Sequence, residues 1–129
     1  MGVRTILVVD DEAIVRDLVA NFLKKLGYEV AQATDGTEAL VTFEQLKEPP
    51  AILVTDIVMP ELGGVQLAQI LRQTHPNLRV LFVSSYPDKK IGEEELANPF
   101  NAYLAKPFSL RSFAAAVNQL MEAGTERAV

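Results

Sequence analysis

Short apolar runs alternate along the chain with stretches in which apolar residues recur every three or four positions. Thr5 to Val9 is apolar and β-branched and stops at Asp10, which fits a strand covered on both faces. Ile14, Leu18, Val19, Phe22, Leu23 and Leu26 then recur at helical spacing, with Gly27 as a stop. Tyr28 to Ala33 reads as a second strand. Asp35 and Glu38 have the spacing of a capping box, and Ala39, Leu40, Phe43 and Leu46 stripe the helix it opens. Pro49 and Pro50 end that helix. Ala51 to Thr55 is a third strand, again stopping at an aspartate, Asp56. Past Met59-Pro60 and Gly63-Gly64, Val65, Leu67, Ala68, Ile70 and Leu71 predict a third helix.

Arg79 to Val83 is a fourth strand ending at Ser84 and Ser85. Between Pro87 and Pro99 the pattern is weakest, with a short acidic helix predicted around Glu93 to Ala97. Asn101 to Ala105 is a fifth strand, followed by Lys106-Pro107. Leu110, Phe113, Ala114, Val117, Leu120 and Met121 stripe a final helix with Ser109 as N-cap, and the last few residues are expected to fray. Five βα units in this order predict a doubly wound α/β domain: a parallel sheet with helices on both faces. There is no internal repeat, low-complexity segment or linker.

Composition narrows the class. A chain of 129 residues suits one domain, 1–129 with a core over about 4–122, and 49% hydrophobic content supports a folded core. Cysteine is absent, which excludes disulfides and thiolate metal sites and agrees with a cytoplasmic location. The apolar run at 5–9 is far too short to span a bilayer, so no membrane association is expected. The net charge of −5 repels a phosphate backbone and argues against direct nucleic-acid binding.

The candidate chemistry lies where the strands end. Asp10 and Asp11 follow the first strand, Asp56 the third, Ser84 the fourth and Lys106 the fifth. In a doubly wound sheet the C-terminal strand ends share one crevice. Three carboxylates there repel one another, and a divalent cation relieves the repulsion. An all-oxygen ligand set favours Mg²⁺ or Mn²⁺ over zinc. A carboxylate beside such a metal can attack phosphorus, with a lysine neutralising the transferred group and a hydroxyl bonding one of its oxygens. His75 precedes Pro76 and reads as a solvated loop residue, Gly63-Gly64 as backbone geometry, and Glu93 to Glu95 as a solvated face.

These residues carry a resemblance. Ile6-Leu-Val-Val-Asp10-Asp11-Glu12 resembles the opening of response-regulator receiver domains. Asp56-Ile-Val-Met59-Pro60-Glu-Leu-Gly-Gly64 is similar to their phosphorylation loop, Ser84 to their switch hydroxyl, and Tyr103-Leu-Ala-Lys106-Pro107-Phe108 to their closing motif. The likeness covers roughly residues 4 to 122. It implies a flavodoxin-like strand order 2-1-3-4-5, as in chemotaxis-Y-like proteins. It also implies Asp56 as phosphoacceptor, and Asp10, Asp11, Asp56 and the backbone carbonyl of Val58 around the metal. Lys106 would pair with the phosphoryl group, Ser84 and Tyr103 would form a switch pair, and Lys106-Pro107 would be cis.

The implied function is phosphoacceptance in two-component signalling. The donor would be a histidine kinase or histidine phosphotransfer protein, and the output an unknown protein or fused domain. The chain departs from the pattern at Ser85, where many members have Ala or Gly, and at Asn98-Pro-Phe-Asn-Ala before Tyr103. The latter speaks against dimerisation through the fourth helix and fifth strand, so a monomer or weak dimer is expected. The Ser-Ser-Tyr-Pro-Asp wording is similar to receivers attached to hybrid histidine kinases. Two rivals are a non-phosphorylated interaction module and a phosphoester hydrolase. The intact acidic cluster opposes the first. Val58 opposes the second, because aspartyl-phosphate enzymes usually carry a second acid two residues after the nucleophile.

Overall fold

The computed structural model describes residues 3–85 and 92–123. Tyr86, the stretch from Pro87 to Ile91 and the expected frayed end beyond Ala123 lie outside the described residues. The elements are β1 (Thr5–Val9), α1 (Ala13–Lys25), β2 (Glu29–Ala33), α2 (Gly36–Gln45) and β3 (Ile52–Asp56), then α3 (Gly64–Arg72), β4 (Arg79–Ser84), α4 (Glu93–Ala97), β5 (Asn101–Ala105) and α5 (Leu110–Ala123). All strand pairs are parallel, in the order β2-β1-β3-β4-β5. The flavodoxin-like α/β expectation is therefore met.

Period-two alternation splits the core into two layers. Leu7, Val9, Leu53 and Phe82 face α2 and α3, where Ala39, Phe43, Leu67 and Leu71 cover them. Ile6, Val8, Val54 and Leu81 face α1 and α5, where Val19, Leu23, Phe113 and Val117 cover them. Both faces of the central strands are thus dry, which is why they read as unbroken apolar runs.

Local chemistry fixes the helix ends. Gly27 has φ 97, and the amides of Gly27 and Tyr28 bond the carbonyls of Lys24 and Leu23, a Schellman stop for α1 that glycine adopts without Cβ strain. The Asp35 carboxylate accepts from the Glu38 amide at 2.7 Å. Glu38 does not complete the predicted capping box. Its carboxylate reaches one residue further back, accepting from the Thr34 amide at 3.0 Å. Ser109 does cap α5, accepting from the Ser112 amide at 3.1 Å.

Some of the predicted stripe is wider than the buried face. Ile14 is 85% exposed, and Leu18, Leu26, Ile70 and Leu110 are also exposed. On α1 the buried residues are Val19, Ala20 and Leu23. Tyr28 belongs to the α1 stop rather than to β2. His75 is not a free loop residue either: it is half-buried with its ring edge-on to Phe43, centroids 5.0 Å apart.

Candidate phosphoacceptor site

Parallel register builds the site as a staircase. Val9 pairs with Thr55, so Asp10 and Asp56 leave their strands side by side. Asp56 pairs with Val83 and Ser84 with Ala105, which sets Ser84 and Lys106 one step further along. Asp10, Asp56 and Ser84 are buried, while Asp11 is exposed at the rim. The structure therefore brings Asp10, Asp11, Asp56 and Lys106 to one edge, as the sequence predicts.

Carboxylate oxygens of Asp10, Asp11 and Asp56 all lie within 4.8 Å of one another. Lys106 Nζ donates to Asp56 Oδ2 at 2.9 Å, to Asp10 Oδ2 at 3.1 Å and to Glu12 Oε1 at 3.2 Å. An ammonium has three donors, and here each has a carboxylate. Burial lowers the proton affinity of Lys106, but the Asp56 hydrogen bond and the charges of Asp10 and Asp56 outweigh it and raise its pKa. Lys106 is thus a fixed positive charge at neutral pH. Burial raises the pKa of Asp10, opposed by its bond from the Glu12 amide and by Lys106.

Backbone geometry completes the pocket. The Val58 amide donates to Asp56 Oδ1 at 3.3 Å, and the Lys106 amide donates to the Ser84 carbonyl at 3.0 Å. The Lys106-Pro107 peptide is cis. Gly64 opens α3 against the Asp56 carbonyl so closely that a Cβ there would sit 2.1 Å from that oxygen. The loop after β3 can fold back only because this residue has no side chain.

The donor set fits a hard divalent cation. Three carboxylates converge with no thiolate or imidazole among them, the ligand chemistry of Mg²⁺ or Mn²⁺. Lys106 alone cannot balance three acids and Glu12.

Residues 6–118 match the family described as the response regulator receiver domain. The chain belongs to that family. It is a receiver, the phosphoacceptor domain of two-component signalling, and not a substrate-turning enzyme. It is 39% identical over 121 residues to the sensor kinase CckA of Brucella abortus (strain 2308), covering 94% of this chain but 13% of that protein. It is 30% identical to the response regulator receiver protein CpdR of the same organism, covering 92% of this chain and 97% of that one. In solved structures, the response regulator protein TrrA from Thermotoga maritima, in complex with Mg²⁺-BeF, is 28% identical with a TM-score of 0.78, covering 91% of this chain and 98% of that chain.

Around this receiver site, three residues escaped the sequence reading. Glu12 reaches Lys106 from the same acidic run, and that run was the signal available. Arg72 and Asn101 instead meet beneath Tyr103, with Arg72 Nη2 donating to Asn101 Oδ1 at 2.6 Å. Neither stands in a recognisable motif. Glu95 is a correction: its side chain is 12% exposed and its carboxylate faces Arg72, so only Glu93 and Glu94 form the solvated face. Tyr103 stacks on Phe82, centroids 5.5 Å apart, and its hydroxyl donates to the Glu95 carbonyl. No described helix is long and apolar enough to cross a membrane.

Proposed function

We propose that Asp56 is the residue that accepts the phosphoryl group, from a phosphohistidine on a histidine kinase or phosphotransfer protein. The observation that carries this reading is the surroundings of the Asp56 carboxylate: the acids Asp10 and Asp11 within 4.8 Å and the Lys106 ammonium at 2.9 Å. In the transfer, an Asp56 carboxylate oxygen attacks phosphorus and a P–O bond forms. The P–N bond breaks, and its electron pair leaves on the imidazole nitrogen. Lys106 neutralises charge gathering on the phosphoryl oxygens, and its fixed protonation suits that role. The Ser84 hydroxyl, one step along the staircase, bonds a phosphoryl oxygen after transfer.

Asp10, Asp11, Asp56 and the Val58 carbonyl would hold Mg²⁺. The bound ion supplies charge compensation between the acids and the incoming phosphoryl group. Phosphorylation adds charge and acceptor oxygens where β3, β4 and β5 end. Ser84 and Tyr103 respond as a pair, and the surface of α4, β5 and α5 carries the signal to an output protein or fused domain. The chain, 1–129, acts as one unit in the cytoplasm, as a monomer or weak dimer. The match to CpdR along its length supports a standalone regulator, and the match to a small part of CckA supports a receiver from a hybrid kinase.

The test uses Mg²⁺ with beryllofluoride or acetyl phosphate, read by NMR and intact mass. The wild type is expected to respond and Asp56→Asn to lose the response. An Asp56→Asn protein phosphorylated to the wild-type extent would overturn the assignment.

A further inference from the structure

Arg72, the last residue of α3, is nearly buried, its side chain 11% exposed. Its Nη2 donates to the Leu78 carbonyl at 2.7 Å and to Asn101 Oδ1 at 2.6 Å. Because a cation occupies the amide oxygen of Asn101, its nitrogen must face the other way. That nitrogen donates to the Glu95 carbonyl at 2.9 Å and to the Tyr103 oxygen at 3.3 Å. The phenol, accepting from Asn101, sends its own proton to the same Glu95 carbonyl. The Glu95 carboxylate then turns back to Arg72 Nη1, 3.9 Å away. Arg72, Asn101, Tyr103 and Glu95 close a ring across α3, β5 and α4.

Two features make this ring a control point rather than a strut. Helix α4 buries no apolar side chain, its Glu95 being the one held close to the protein, and Leu96 is exposed. Its seat on the protein is therefore polar, and both the carbonyl and the carboxylate of Glu95 belong to it. The ring is also incompletely satisfied: at 3.9 Å the carboxylate stands beyond hydrogen-bond reach, and Arg72 Nη1 is buried with no hydrogen-bond partner among the described residues. An unpaired buried donor costs the present arrangement free energy, so less is needed to favour another. Tyr103 passes any movement on, because its ring lies against Phe82, two residues before Ser84 on β4.

We propose that Arg72 is a positioning residue of the switch, acting through Asn101 and Glu95 to hold the Tyr103 hydroxyl and α4 in the arrangement described above, which phosphorylation must displace. The inference rests on Asp56 as phosphoacceptor, and the exchange readout below tests the ring independently of it. A ligand that favours the other arrangement must overcome the ring, so apparent affinity rises when the ring is broken.

Arg72→Met, Glu95→Gln and Tyr103→Phe in the full chain test it. Without ligand, the amides of Leu96 and Asn98, bonded to Gly92 and Glu95, are expected to exchange severalfold faster in Glu95→Gln and Arg72→Met. With Mg²⁺ present, beryllofluoride is expected to bind roughly two- to tenfold tighter to both. In a Tyr103→Phe background, Glu95→Gln should add no further gain, an outcome that a merely structural role would not produce. Unchanged exchange, wild-type affinity in Glu95→Gln, or the same gain without the Tyr103 hydroxyl would each overturn the proposal. If Arg72→Met fails to fold, the near-isosteric Glu95→Gln carries the test. A wild-type chain blind to beryllofluoride would defeat the Asp56 reading instead, and the exchange measurement would still decide the ring.

Discussion

Lys106 and Asp56 stand 50 residues apart in sequence and 2.9 Å apart in space. The strand register alone brings them together, and the same lysine also serves Asp10 and Glu12. The ammonium therefore has two opposite effects. On the proposed function it would attract a phosphoryl group and would repel a divalent cation bound to the same acids. Lys106→Met should separate them. The beryllofluoride response should fall at least about tenfold, since a charge-assisted bond to the group is lost. Mg²⁺ should bind severalfold more tightly, because a nearby positive charge has gone. Calorimetric titration of each ligand checks both, and weaker Mg²⁺ binding would show that Lys106 orders the acids rather than balancing them.

Substitution of Asp11 should separate metal binding from folding. The residue is exposed at the rim of the acidic cluster, so Asp11→Asn should change stability without metal by no more than about 0.5 kcal/mol. A cation bound only by the folded state stabilises it by roughly 2.7 kcal/mol at a hundredfold excess over Kd. Wild type should thus melt several degrees higher in saturating Mg²⁺, and Asp11→Asn should lose most of that rise. Thermal melts with and without Mg²⁺ decide it. An equal rise in both proteins would remove Asp11 from the ligand set.

The strands and most of the site were legible because one physical fact produces both signals. A strand buried on both faces must be apolar throughout, so the first polar residue after it marks the crevice. Asp10, Asp56 and Ser84 announced themselves that way, and Lys106 by its place after the half-buried edge strand β5. Helix faces were less legible. Spacing cannot tell Ile14, which faces solvent, from Leu23, which has none to face. The ring under Tyr103 was illegible for a different reason. Arg72 and Asn101 lie 29 residues apart, and neither breaks a pattern, so only the fold shows that they touch. Glu95 was hidden in a run of three glutamates of which two are solvated.

Gly64 ties the backbone of the loop to Asp56. A methyl group there would stand 2.1 Å from the Asp56 carbonyl oxygen, and that oxygen is main chain on the central strand next to β1. The clash cannot be relieved by turning a side chain. Gly64→Ala is expected to cost about 1–3 kcal/mol and to weaken the beryllofluoride response, because Asp56 moves with its carbonyl. Gly92→Ala is the control, since its Cβ meets nothing within 4 Å. Chemical denaturation and ligand titration of both variants check this. A stable, fully responsive Gly64→Ala would mean that the loop accommodates the methyl group by shifting away from the site.

Tyr103 gives the ring a spectroscopic handle. Burial raises the phenol's pKa, partly offset by the Asn101 hydrogen bond, and the Glu95 charge adds to the rise. The unfolded chain has no such burial, so its phenol ionises near the ordinary value of 10.0. Between the two values the unfolded state has lost a proton that the folded state keeps. Stability from Tyr103 is therefore fully present below pH 10.0 and lost as pH rises through the higher folded value. Ultraviolet titration at alkaline pH should show the Tyr103 phenol ionising late. Tyr103→Phe should delete that late step and flatten the alkaline fall in stability. Glu95→Gln should move the step earlier, because the carboxylate no longer opposes a phenolate. A late step that survives in Tyr103→Phe would assign the shifted phenol to another tyrosine and detach Tyr103 from the buried ring.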